Sequence, residues 1–334
     1  MCHWRRRLRL APGVGLLFAV FLAVPMAPAA AEAPARLTGH GGPVHSVFVS
    51  PDGEIVLTAS FDYSIIRWAF DGTEARVAHR FLDHGGAVNY VVATPDGRLA
   101  VSASDDGTVG VFDLAENRLL KRLEGHRGKV VDVAVSPDGK IAASAGWDRT
   151  ARLWDLEALA PIVVIDEHRG NVNSVDFSPD GSRLYTTGYD GTIRSWSVAD
   201  GSPEATVYRY GGPLNVIRRL PDGKRALFGG IGDAGSGYVA VVDLQKGEIV
   251  NILQPFLRPL LTAAVWPRHG LAAAAGSDGT IRVWDLKTWE LKHEYEYPYG
   301  PVRSLAISAD GSRIYYTSPD PYVVGWQISP RQTF

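Results

Sequence analysis

The sequence predicts an all-β chain built from seven copies of one antiparallel unit, and three observations support that prediction. A Pro-Asp-Gly turn returns at an almost constant interval of 42 to 46 residues. An aspartate stands six residues before an aromatic side chain in most intervals. A histidine stands four residues before the first apolar strand position in four of them. Self-similarity of this period is typical of repeat folds, in which each unit packs on its neighbours.

The recurring turn predicts one β-hairpin in every repeat. Apolar and polar residues alternate on both sides of it, as in Val133 and Val135 before Pro137. Alternation with a period of two around a turn of this composition indicates two antiparallel strands. The turn lies at Pro51, Pro95, Pro137, Pro179 and Pro221, and it degenerates at Pro267 and Ala309.

Two further pairs of landmark residues recur with the same period as the turn. The aspartate and its aromatic are Asp62/Trp68, Asp106/Phe112, Asp148/Trp154, Asp190/Trp196, Asp278/Trp284 and Asp320/Trp326. The histidine and the following apolar position are His40/Val44, His84/Val88, His126/Val130 and His168/Val172. Together with Gly125-His126 and the Trp-Asp pairs at Trp154 and Trp284, these landmarks resemble the WD-repeat family across residues 34–329.

The resemblance implies a seven-bladed β-propeller of four-stranded antiparallel blades, and it gives the landmark residues structural roles. In this family the histidine, a Ser or Thr on the second strand, the aspartate and the tryptophan form a buried hydrogen-bonded set. In the third blade the set is His126, Ser144, Asp148 and Trp154. In the second it is His84, Ser102 and Asp106, and Phe112 has no N–H to donate. We therefore expect these aspartates and histidines to be structural, with no catalytic residue among them.

The count of strands predicts how the ring closes. The last repeat supplies only three strands, at 302–307, 313–317 and 322–328. Residues 35–38 form a strand that belongs to no other blade. We expect this N-terminal strand to complete the seventh blade, which removes both open sheet edges.

The C-terminal repeats depart from the pattern. Tyr210 and Val242 replace the histidine and the tryptophan of blade 5, and Phe256 replaces the histidine of blade 6. In blade 7, Pro298 stands at the histidine position and Tyr316 at the Ser/Thr position. We expect this half to be looser than blades 1 to 4.

Residues 1–31 are predicted to be a signal peptide, which leaves 32–334 as the propeller domain. Four arginines between positions 5 and 9 precede an apolar stretch at 14–24 and three alanines at 29–31, an order typical of secretory signals. The stretch is shorter than the roughly 20 residues that span a bilayer, so no stable membrane anchor is expected. We expect export to the bacterial periplasm, with the Sec and twin-arginine routes both open.

The net charge and the cysteine content limit the classes of partner and cofactor that the chain can bind. Removal of the four arginines leaves 30 basic against 36 acidic residues, a net charge near −6, and no basic run remains. This balance disfavours nucleic acid as a partner. The single cysteine, Cys2, lies in the predicted signal peptide, so the mature chain has no site for covalent haem.

No catalytic, cofactor or metal site is predicted. Gly230, Gly232 and Gly235 match the spacing G-x-G-x-x-G, but their loop joins two antiparallel strands and opens no helix that could receive phosphates. The repeated histidines occupy equivalent positions around a ring, whereas metal ligands must converge.

The predicted partner-binding face follows from the resemblance, because WD propellers bind partners through residues at one end of the blades. Phe61, Trp147 and Tyr189 stand at turn tips, where small polar residues are usual. Aromatic and arginine side chains are the common anchors of protein interfaces. The face also includes His45, Asn89, Lys129, Asn173, Asn215 and Arg303. We expect the three asparagines to surround the channel mouth with amide donors and acceptors.

The function predicted from these features is a monomeric periplasmic scaffold that binds another protein on this face. Two alternatives stay open. Some bacterial secreted propellers of this appearance carry a C-terminal cytochrome c domain, so the chain could assist a separate c-type cytochrome. A hydrolase or lyase on a propeller is disfavoured, because it would need converging acids or histidines.

Overall fold

The structure, a computed structural model, describes residues 35–71 and 74–328, and all of them belong to one compact unit. The predicted signal peptide lies outside the described residues. The described chain forms seven four-stranded antiparallel sheets arranged as the blades of a ring, so the seven-bladed propeller is confirmed.

In blades 1 to 6 the strands follow one another in chain order, from the channel to the outer rim. Blade 1 contains β2 (Val44–Val49), β3 (Val56–Ser60), β4 (Ile65–Asp71) and β5 (Glu74–Phe81). Blade 2 contains β6 (Val88–Ala93), β7 (Leu99–Ser104), β8 (Val109–Asp113) and β9 (Arg118–Leu123). Blade 3 contains β10 (Val130–Val135), β11 (Ile141–Gly146), β12 (Ala151–Asp155) and β13 (Ala160–Ile165). Blade 4 contains β14 (Val172–Phe177), β15 (Arg183–Gly188), β16 (Thr192–Ser197) and β17 (Pro203–Arg209).

The C-terminal blades keep the same order with small irregularities. Blade 5 contains β18 (Leu214–Arg219), β19 (Arg225–Ile231), β20 (Gly237–Asp243) and β21 (Glu248–Ile252). Blade 6 contains β22 (Leu260–Trp266), β23 (Leu271–Gly276), β24 (Thr280–Asp285) and β25 (Leu291–Glu296). Two short 3₁₀ turns interrupt them, Asp233–Gly235 in the glycine-rich hairpin and Pro267–His269 at the degenerate turn.

The seventh blade combines the two ends of the described chain. It contains β26 (Leu305–Ile307), β27 (Arg313–Tyr316) and β28 (Tyr322–Gln327), with β1 (Arg36–Thr38) as the outer strand. β1 pairs antiparallel with β28, so that Leu37 lies opposite Val323. Leu37 is fully buried in the core between blades 7 and 1.

The hydrophobic core lies between neighbouring blades. Each apolar cluster combines residues of two adjacent sheets, as where Leu57 and Phe81 of blade 1 meet Val88 and Phe112 of blade 2. A blade therefore cannot bury its apolar faces alone, and stability depends on the complete ring.

A β-bulge near the start of the first strand shapes one end of the channel. In blades 1 to 6 the pairing register shifts there, as between Val44 and Ser46. A bulge leaves one residue out of the ladder and redirects its side chain. The residue skipped is His45 in blade 1 and Asn89 in blade 2, so both side chains are presented at this end.

Candidate interaction face

A buried hydrogen-bond relay holds the loops at this end of blade 3. The Nδ1 of His126 lies 3.0 Å from each carboxylate oxygen of Asp148. Its Nε2 lies 2.7 Å from the hydroxyl of Ser144, and the Nε1 of Trp154 donates to that hydroxyl oxygen at 2.9 Å. Because Nδ1–H donates to the carboxylate, Nε2 accepts the hydroxyl proton, and every polar atom of the relay has a partner.

Blades 1 and 4 repeat this geometry, and blade 2 shortens it. The relay members are His40, Thr58, Asp62 and Trp68 in blade 1, and His168, Thr186, Asp190 and Trp196 in blade 4. In blade 2, His84 lies 2.8 Å from Asp106 and 2.7 Å from Ser102. Phe112 packs against His84 with a centroid distance of 6.1 Å but donates no hydrogen bond to Ser102.

The difference between blades 3 and 2 gives a testable prediction. Ser144→Ala leaves both the Trp154 N–H and the His126 Nε2 without a partner, whereas Ser102→Ala strands only the His84 Nε2. Since an unsatisfied buried polar group costs about 1–3 kcal/mol, the unfolding free energy should fall more for Ser144→Ala. Urea unfolding of both variants measures the difference, and equal losses would show that the tryptophan hydrogen bond adds nothing.

Burial keeps the blade 1 histidine neutral. It lowers the pKa of His40 to about 4, although Asp62 opposes that shift. Burial alone would raise the pKa of Asp62, but hydrogen bonds from Ser64 and the Gly41 N–H lower it to about 2. The relay therefore combines a neutral imidazole with a carboxylate.

The pKa of His40 predicts how stability depends on pH. Between pH 6.5 and 4 the unfolded chain binds a proton that the folded chain excludes, so stability is present above pH 6.5 and is lost as the pH falls. The loss from this group should reach about 2 kcal/mol by pH 5. Urea unfolding at pH 7 and pH 5 should show this loss in the wild type and a smaller one in His40→Gln. An unchanged pH dependence in the variant would contradict the assignment.

In the described blades 6 and 7 the landmark residues make other structural contacts, because these blades lack the histidine and the Ser or Thr of the relay. The hydroxyl position of blade 6 is Ala274, so no hydroxyl joins Asp278 to the buried Trp284. Asp278 instead accepts hydrogen bonds from the main-chain N–H groups of Leu257 and Thr280.

Blade 7 replaces the histidine with a tyrosine that the pattern did not identify. Tyr297 lies one residue before the histidine position, and its hydroxyl donates a hydrogen bond to Asp320. Trp326 is not fully buried, and its ring stacks on Tyr295 with a centroid distance of 5.2 Å. Aromatic packing therefore takes the place of the relay here.

The residues predicted for the partner-binding face lie together at one end of the channel. Phe61, Trp147 and Tyr189 are 53%, 43% and 46% exposed. All three line a depression of about 740 Å³. Its lining also includes His45, Asn89, Lys129, Asn173, Asn215 and Arg303.

The three asparagines line the depression, and each also uses an amide N–H within the protein. The Nδ2 of Asn89 donates to the Val130 carbonyl at 2.8 Å and to Asp105 at 2.7 Å. Asn173 and Asn215 likewise donate to carbonyls of the next blade, at 2.9 Å and 2.7 Å. These side chains connect adjacent blades, since the bulge places each beside the first strand of its neighbour.

Polar contacts also position the aromatic tips. The Nζ of Lys129 lies 2.5 Å from Asp105 and 5.6 Å from the centroid of Trp147. His45 packs edge-on against Phe61 and lies 3.2 Å from Asn89. Burial, and then the charge of Arg303, lower the pKa of His45. The imidazole is therefore held neutral beside the rim.

The floor of the depression is a largely buried polar group that sequence reasoning missed. Arg218 of blade 5 lies 3.2 Å from Asp132 of blade 3 and 2.8 Å from Ser174 of blade 4, and donates to the Tyr90 hydroxyl of blade 2 at 3.1 Å. Tyr90 and Arg218 also line a second cavity of about 610 Å³. The two cavities therefore meet at this group. Charged residues at channel-facing positions of otherwise apolar strands were the available signal.

The arrangement offers surface recognition rather than converging reactive groups. In the part of the chain that the structure describes, no cluster of three or more His, Cys, Asp or Glu residues could hold a metal ion. The glycine-rich loop joins antiparallel β19 and β20. Residues 35–71 and 74–328 include no helix with the length and hydropathy needed to span a membrane.

The ring of four-stranded blades and the His–Ser/Thr–Asp–Trp relay define a repeat propeller. The family model for the WD domain, G-beta repeat, matches residues 32–68, 76–113, 117–155, 159–197 and 258–285, more than half of the chain. The chain therefore belongs to the WD40 repeat family. The matched segments omit 198–257 and 286–334, which include blades 5 and 7, where the histidine is missing. No curated protein matches the chain.

Membership of this family supports a general functional class. WD40 propellers serve in general as protein-interaction scaffolds and are typically non-catalytic.

Proposed function

We propose that this propeller is a periplasmic scaffold that binds a partner protein on the face formed by Phe61, Trp147 and Tyr189. The observation that carries the proposal is the common location of three exposed aromatic side chains around one depression. Large aromatic groups at turn tips contribute little to the core, and such groups are enriched at the centres of protein interfaces. The periplasmic location rests on the signal-peptide pattern of residues 1–31.

The shape of the face supports binding by surface contact. The depression is open at the blade tips, and its floor is occupied by Arg218, Asp132 and Tyr90. A partner loop can therefore enter the mouth while its flanks contact the aromatic rim. The inter-blade hydrogen bonds of Asn89 and Asn173 keep this surface preorganised, which reduces the entropy lost on binding.

The proposal is tested by fractionation and capture. Mass spectrometry of the exported protein should show a chain that begins near Glu32. The mature protein, used as bait in a periplasmic extract, should retain a partner that is displaced by excess untagged protein. Retention of residues 1–31 in a cytoplasmic protein would contradict the location. Capture that survives loss of the aromatic rim would contradict the site.

A further inference from the structure

We propose that the partner presents an acidic segment, whose carboxylates bind Arg127, Arg149 and Arg169 across blades 3 and 4. This inference rests on the proposed function, because it specifies the chemistry of the partner that the interaction face binds. It goes beyond the aromatic rim by assigning a charged sector to one side of that rim.

The relay aspartates hold the main chain of two of the arginines at the tips of blades 3 and 4, and the third lies in the same turn as Asp148. The main-chain N–H of Arg127 donates to Asp148 at 2.9 Å, and Arg149 follows that aspartate in the turn. The N–H of Arg169 donates to Asp190 at 3.0 Å. The main-chain positions are therefore fixed at the same end as the two exposed aromatics, which precede the same aspartates.

The side chains of these arginines have no partner in the part of the protein that the structure describes. All three are exposed, and among residues 35–71 and 74–328 none forms an ion pair or a side-chain hydrogen bond. Two neighbouring cationic side chains do form ion pairs, Lys129 with Asp105 and Arg194 with Glu167. Three unpaired arginines around two exposed aromatic rings are not needed to hold the blades together.

The buried aspartates beneath them do not neutralise this sector by contact. The side chain of Asp148 is 7% exposed and that of Asp190 is 8% exposed. Asp148 already accepts hydrogen bonds from His126, the Arg127 N–H and Thr150. The guanidinium donors therefore point to an external acceptor, and a carboxylate matches their planar fork in a bidentate pair.

An acidic protein segment fits better than a nucleic acid. Nucleic acids bind along a continuous track of cations, whereas here the three arginines occupy two adjacent blades of a chain with an excess of acidic residues. Trp147 precedes Arg149 in the blade 3 turn, and Tyr189 and Arg169 both adjoin Asp190, so a bound peptide would need apolar side chains as well as carboxylates.

The test compares two triple variants that change charge equally at opposite ends of the blades. Arg127→Glu/Arg149→Glu/Arg169→Glu reverses the proposed sector. Lys140→Glu/Lys224→Glu/Lys246→Glu reverses three exposed lysines in turns at the other end, and none of these lysines forms an ion pair in the described chain. The probe is a short fluorescent peptide of alternating glutamate and leucine, with a lysine–leucine peptide and a single-stranded DNA of similar length for comparison.

We expect the acidic peptide to bind the mature protein and the lysine variant equally, and to bind the arginine variant at least about ten-fold more weakly. Both variants should have the melting temperature of the wild type. If the triple variant fails to fold, single Arg→Glu substitutions should show the loss of peptide binding. The inference is overturned if the acidic peptide does not bind, if it binds the arginine variant equally, or if DNA binds more tightly. If the captured periplasmic partner depends on Trp147 and Tyr189 but not on the arginines, the inference fails and the proposed function stands. If it depends on neither, both fail.

Discussion

Deletion of residues 35–38 should lower the melting temperature of the propeller on the order of 10 °C and promote aggregation. The deletion removes β1, whose three residues pair with β28. It also removes Leu37, which is fully buried between blades 7 and 1. Loss of a buried leucine alone costs about 2–5 kcal/mol, and the deletion exposes β28 as an unpaired edge.

Two point substitutions separate the core contact from the pairing of the strand. Leu37→Ala keeps the β1 backbone and should account for a large part of the loss, whereas Thr38→Ala changes an exposed side chain and should be close to neutral. Thermal melting and light scattering measure both effects. A deletion variant with the melting temperature of the wild type would show that closure of the ring does not depend on β1.

Trp147→Ala and Tyr189→Ala should each weaken partner binding by about 2 kcal/mol, roughly thirty-fold in the dissociation constant. Both side chains are nearly half exposed, so truncation removes contact area that only a partner would bury. Their effect on unfolding should be small, because exposed tips contribute little to the core. Trp147→Ala also removes the ring beside Lys129, which keeps its ion pair with Asp105.

The matched control is Ile252→Ala, which truncates an apolar side chain that is 66% exposed on the outer strand of blade 5. Capture of the partner should be unchanged in this variant and strongly reduced in the Trp147/Tyr189 double variant. If the double variant retains the partner, the binding surface is the opposite end or the rim. A clear fall in its melting temperature would mean that the two rings stabilise the fold.

Patterns of short range and constant period predicted most of the architecture. The spacing of the turns predicted seven units, and the landmark residues predicted the relays now seen in blades 1 to 4. This worked because each relay lies within one blade, so its members recur at fixed offsets along the chain. Asp278 and Asp320 have other hydrogen-bonding partners, since blades 6 and 7 lack the histidine.

Contacts between blades could not be read from those offsets. The amide of Asn89 faces a carbonyl 41 residues away, and Arg218 reaches Asp132 and Tyr90 across 86 and 128 residues. Such pairs depend on which strand ends meet after the ring has closed. For this reason the asparagines looked available to a partner in the sequence, and the group on the channel floor was not anticipated.

The order of turns and landmarks along the chain therefore predicted the fold class, the number of blades and the aromatic tips of the interaction face. Closure of the ring determined which polar groups at that face have partners within the protein. It uses an amide N–H of each of Asn89, Asn173 and Asn215 between blades, and among the described residues it leaves Arg127, Arg149 and Arg169 without acidic partners. A repeated local pattern encodes each blade, whereas the charge and hydrogen-bonding capacity of the surface depend on pairs of residues that only the closed ring brings together.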